Sequence, residues 1–281
     1  METLPSEDED FRGALITPVD SSRHEPDEPN TPLTQLLRFI ERGEPPPHWS
    51  EESESDRKSW EKTLGFCKGA IIRGIVNLAG EEAQFNVLWG PNDPHGGWFV
   101  QKMIHWIKDY PATVEARRDE ERDDLAICAT LCLGNLARKG TFLLSSHAND
   151  FTYLVCMQLE SRCVVLVQPP ISLVPSLLNL VGPRMDLKVK HGAFALLKHL
   201  SQSQRNRNSL GEAGTIEAIV HSKVWENMAD IADMVQLSAI GIAKHLVTSH
   251  GRYQFCPSRL LCGAKHLMYN SGKCSETVSR A

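Results

Sequence analysis

Four polar residues, Asn77, Asn135, His199 and His245, each stand one position before a leucine, at the same point of one apolar pattern. An asparagine amide offers a donor and an acceptor together, so it can pair with the backbone of an extended partner without fixing that partner's sequence. On a helix, the residues four before and three after each of these positions share its face. That assembles four stripes: Arg73, Asn77 and Gly80; Leu131, Asn135 and Arg138; Ala195, His199 and Gln202; Gly241, His245 and Thr248. The guanidinium groups of Arg73 and Arg138 can meet an acidic surface or a carboxylate through their planar donor fork. Arg73, Asn77, Asn135, Arg138, His199, Gln202 and His245 are therefore the candidate partner-binding residues. A purely structural reading stands beside each. Asn77 and Asn135 can instead hold a neighbouring helix or loop, His199 and His245 can be packing histidines, and the two arginines can close ion pairs within a repeat.

Other chemistry is sparse. Cys256, Cys262, His266 and Cys274 follow the spacing C-x5-C-x3-H-x7-C, whereas zinc modules start from closer pairs. A zinc-dependent enzyme built on that group is the least favoured function. Cys128 and Cys132 lie one helical turn apart and read as small apolar side chains. Trp89, Trp98 and Trp106, with Met103 and Ile107, suit either helix core or an apolar platform for a lipid or partner. The chain has no P-loop, no dinucleotide fingerprint, no zincin helix, no nucleophile elbow and no kinase motif set. No catalytic residue, cofactor site or metal site is assigned, and the expected protein is not an enzyme.

The elements that must carry the polar stripes are helices. Apolar residues recur at 0, +4, +7, +8 and +11 in four places: Cys67, Ile71, Gly74, Ile75, Leu78; Leu125, Ala129, Cys132, Leu133, Leu136; Val189, Ala193, Leu196, Leu197, Leu200; and Val235, Ala239, Ile242, Ala243, Leu246. This spacing is the buried face of a three-turn amphipathic helix. Repetition of one helix design predicts a helical repeat array, and such arrays are usually binding surfaces. The final leucines lie 58, 64 and 46 residues apart. The last interval approaches a 40–47-residue helical unit, and the longer ones require insertions, placed near residues 90–97 and 147–170. Within the second, Val164-Val-Leu-Val167 before Pro169-Pro170 reads as strand-like.

Charge divides the chain. Residues 1–58 hold fifteen acidic and six basic residues and eight of the sixteen prolines, while the remainder carries a balance of +4. The tail 1–58 is expected to be acidic, Pro-rich and mostly disordered. It carries one short helix near 32–42, with Thr31 as N-cap, Pro32 at the first position, a stripe of Leu33, Leu36, Leu37 and Ile40, and Gly43 as terminator. Residues 59–249 are the repeat domain, and 250–281 form an irregular tail. That tail lacks a stripe long enough to dock, so the chain reads as a short or truncated form of a longer array. No concentrated basic face suggests nucleic acid, no apolar run suggests membrane insertion, and no secretory signal opens the chain. The eight cysteines show no C-x-x-C pair, which suits a reducing, cytoplasmic location.

The repeats resemble armadillo units. Leu210-Gly-Glu-Ala-Gly-Thr-Ile-Glu-Ala-Ile-Val220 resembles the start of that family's second helix, and Val235–Val247 its third. Ile71–Ala79 and Thr130–Arg138 match the family's Asn-Leu ending. Leu131–Arg138 and Lys188–Leu200 are similar to the small-GTPase GDP-dissociation stimulator family, including its fungal members. The resemblance covers about residues 60–250 and implies an all-α, armadillo-like right-handed α-solenoid of about four repeats. It also implies binding of Rho- and Ras-type GTPases with a polybasic, prenylated tail, release of their GDP, and shielding of the lipid. The chain departs from that family in having fewer repeats and a repeat region that is not acidic. Glu81-Glu82 and the run Asp119–Asp124 can supply a local acidic patch. The alternative function is a generic armadillo scaffold that binds extended peptides.

Overall fold

The computed structural model describes residues 13–16, 31–43, 54–90, 93–110, 123–138, 162–226 and 230–248. Every regular element among them is helical, so the chain is all-α over its described residues. The expectations for most of the N-terminal tail, for residues 147–161 and for residues 250–281 lie outside this set. The chain divides into two compact units, residues 1–165 and 166–281.

In the first unit, helix α1 (Pro32–Arg42) begins where Thr31 Oγ1 accepts from the Thr34 amide at 3.1 Å. It ends at Gly43, whose amide bonds Phe39 O. Leu33, Leu37 and Ile40 are buried, as the stripe predicts, and Leu36 is half-buried. Helix α2 (Glu54–Ala79) starts earlier than the boundary expected after residue 58. A short 3-10 turn (Glu82–Gln84), α3 (Phe85–Trp89), α4 (Trp98–Lys108) and α5 (Asp123–Ala137) follow. Helix α5 packs against both α2 and α4, and α1 lies on α2. Glu41 at the end of α1 also joins α4, taking Trp106 Nε1 at 3.0 Å and Lys102 Nζ at 2.6 Å. Burial alone would raise the Glu41 carboxyl, but the bonds from Lys102 and Trp106 outweigh it and hold the group below its ordinary value.

Residues 162–167 form a helical turn, α6. This corrects the strand-like reading of Val164–Val167. Cys163, Leu166 and Val167 are buried and share one helical face, so packing overrides the β-branched preference. The second unit continues with α7 (Val174–Leu180), α8 (Leu187–Gln202), α9 (Arg207–Glu212), α10 (Thr215–His221) and α11 (Asp230–Val247). Asp186 caps α8 by accepting from the Lys188 amide at 2.7 Å. Gly214, at φ +81°, turns the chain between α9 and α10 in the left-handed region that glycine adopts freely. Helix α11 packs along α8 and also touches α9.

The ruler residues of α5 and α8 are all buried, as are four of the five on α11. The first ruler is only half realised. Ile75 and Leu78 are buried, but Cys67 and Gly74 are exposed, and burial along α2 begins near Ile72. The earlier turns of this 26-residue helix lie beyond its packed region, and Phe66 is 71% exposed. Trp89, Trp106, Met103 and Ile107 are buried, so they serve the core rather than a surface platform, while Trp98 is half-buried beside Phe99. Helix α11 keeps a second apolar stripe in solvent at Met234, Leu237 and Ile240.

Leu197 is fully buried, and Leu237 is 60% exposed. Leu197→Ala is expected to cost about 2–5 kcal/mol in urea unfolding, because it leaves a cavity, whereas Leu237→Ala should change stability by less than about 0.5 kcal/mol. Similar losses for the two variants would refute this core assignment.

Candidate functional site

In the first unit, the ends of α2 and α5 bring two of the polar stripes together. Gly80, just past α2, provides the room: a Cβ added there would stand 3.3 Å from Asn135 Nδ2. Asn135 Nδ2 donates to Val76 O at 3.0 Å, and Arg138 Nη2 donates to Gly80 O at 3.4 Å. The amide of Asn135 therefore ties two ruler helices, as its structural reading anticipated. Its second N–H and its carbonyl oxygen remain chemically able to serve a partner, and the residue is half-buried. Arg73, Asn77 and Arg138 are exposed. The first unit thus presents two guanidinium groups and an amide to solvent, with a second amide at their edge.

The second unit holds His199, Gln202 and His245. His199 and Gln202 are half-buried near the end of α8. His245, on α11, shares a 2.8 Å hydrogen bond between its Nδ1 and Ser201 Oγ. Arg207 Nε donates to Ser201 O at 3.1 Å, and its Nη2 donates to Gln202 O at 3.4 Å. The sequence reading missed Arg207, which sits in a short helix without a ruler and caps the carbonyls ending α8. Burial pushes the His245 imidazole down, with help from the positive charges of Arg207, Lys198 and Lys244. Burial alone does the same to His191.

Cys128 and Cys132 are fully buried, and burial pushes the Cys132 thiol well up, as suits apolar packing rather than reactivity. No group of three or more His, Cys, Asp or Glu side chains able to hold a metal occurs among the described residues. Cys256, Cys262, His266 and Cys274 lie outside them. No described helix is long and apolar enough to cross a membrane. Comparison with protein-family models, curated proteins and solved structures returns no match.

Two measurements separate structural from exposed polar residues. Asn135→Ala should lower stability by about 1 kcal/mol through loss of its helix-to-helix bond, while Asn77→Ala should be close to neutral. Equal effects would contradict the geometry. The second concerns acid. A histidine held below its ordinary 6.5 is a worse base when folded, so the unfolded chain binds the proton first. Stability is then full above about pH 6.5 and falls as the pH drops through that value. His245→Gln should shrink the drop in urea midpoint between about pH 7 and pH 5.5; an unchanged drop would assign it to other groups, His191 among them.

Proposed function

We propose that this chain is a non-enzymatic regulator of small GTPases, built as an armadillo-like right-handed α-solenoid of about four repeats and acting in the cytoplasm. Its partners would be Rho- or Ras-type GTPases, including prenylated forms with polybasic tails. The observation that carries this reading is the pair of packed helices α2 and α5. Their ruler leucines, Leu78 and Leu136, are buried, while Arg73, Asn77 and Arg138 reach solvent beside the half-buried Asn135. Such an edge suits a partner that offers carboxylates and backbone together. The resemblance of Leu131–Arg138 and Lys188–Leu200 to the GDP-dissociation stimulators gives the partner class.

No covalent step is required. A protein that binds the nucleotide-free GTPase more tightly than the GDP-bound form weakens GDP by the same factor, because the two equilibria are linked. In the second unit, His199, Gln202 and His245 would contribute a further polar edge of the same kind. Because Asn135 also holds α2 to α5, the exposed residues make the cleaner test of contact.

Release of fluorescent GDP from a panel of Rho- and Ras-type GTPases, with and without the full chain, tests the activity. Faster release from at least one member is expected. The double substitution Arg73→Ala, Asn77→Ala should weaken that complex by about tenfold while leaving the melting curve unchanged. No acceleration, together with no complex with any nucleotide-free member, would end the proposal. Binding of unmodified extended peptides without any effect on GDP would replace it with the peptide-scaffold reading.

A further inference from the structure

Arg162 opens α6, and it is only 7% exposed. Its Nη2 donates to Asn86 Oδ1 at 2.7 Å, and its guanidinium carbon lies 5.1 Å from the centroid of the Trp89 ring. Its Nη1 is buried with no hydrogen-bond partner. Among the described residues no carboxylate pairs with it, and burial lowers its basicity. The neighbouring Cys163 thiol is buried and directed at Ala137 O, 3.2 Å away.

A buried cation is expensive unless it is paired and hydrogen-bonded. The aromatic face of Trp89 recovers part of that cost, and the neutral Asn86 carbonyl recovers another part. Neither supplies a negative charge, and neither reaches Nη1. The guanidinium fork matches the two oxygens of a phosphate or carboxylate, which would accept from Nη1 and Nη2 side by side. Asn86 is exposed, so its side chain can swing out and open the way to the fork. Asn86 Oδ1 stands where one oxyanion oxygen would be held.

We infer that Arg162, Asn86 and Trp89 form a binding site for a small free oxyanion of the phosphate or carboxylate type, with Arg162 as its charge partner and Asn86 as the side chain that the anion displaces. The site is independent of the proposed GTPase contacts and uses none of their residues.

Thermal unfolding of the full chain in rising inorganic phosphate or acetate, against chloride at matched ionic strength, tests this. Wild type should gain a saturable rise in melting temperature of about 5 °C or more once the anion is at a hundredfold excess over its Kd. A response to phosphate alone assigns a phosphate-type ligand, and a response to both assigns carboxylates as well. Without added anion, Arg162→Met should melt higher than wild type and should not respond to either anion specifically, because the uncompensated charge is gone. N86D offers a second route that keeps the arginine. It places a carboxylate where Oδ1 already meets Nη2, so it should raise the melting temperature and abolish the response to added anion. An equal shift in wild type and Arg162→Met would show general salt stabilisation and overturn the inference. So would a lower melting temperature for N86D, or the absence of any shift in wild type.

Discussion

Close approach of two ruler helices, α2 to α5 in one unit and α8 to α11 in the other, is the constraint from which the remaining features descend. Each pair buries ridges of leucine, isoleucine, valine and alanine, which is the dominant favourable contribution to folding such elements. Small residues set how near the backbones come. Gly80 lets Asn135 reach the Val76 carbonyl, and Gly241 lets α11 lie against the alkyl stem of Lys198. Polar groups at the helix ends are then carried into contact whether or not they serve a partner.

This has a direct consequence for the polar edge. A residue beside a buried leucine is half in the interface, so its hydrogen bonds are shared between holding the pair and meeting solvent. Asn135 and His245 have each been drawn into a bond with the adjacent ruler helix, Arg138 is exposed but bonds Gly80 O just past α2, and Arg73 and Asn77 face water. Positions that look equivalent along the pattern are therefore unequal in chemistry. The exposed ones can contact a partner without cost to the fold, and the engaged ones couple any contact to helix packing.

Arg162 shows the opposite balance. Its surroundings, Trp89 and Asn86 from α3, satisfy geometry better than charge. A core arranged only for stability would favour an apolar side chain of similar volume at such a place. The buried cation, with one nitrogen unsatisfied, is a feature of the described part of the first unit that stability alone does not account for.

Much of the local structure was legible in the residues themselves. Thr31, Pro32 and Gly43 bound the first helix, Gly214 separates two others, and the rulers of α5, α8 and α11 mark the buried faces, because capping, backbone freedom and helical period act over only a few positions. The same period was silent on how far along α2 burial extends, and β-branched residues pointed the wrong way at Val164–Val167. Those outcomes depend on what packs against a face, which a one-dimensional pattern does not encode. The polar site divides the same way. Asn135 and His245 were visible at fixed spacing and Arg162 was not, and their roles rest on partners 59 positions away for Asn135, 44 for His245 and 76 for Arg162. Only the folded chain brings such distant groups within 3 Å, and so only tertiary structure decides which side chains are engaged, which face water and which charge is left without its counterpart.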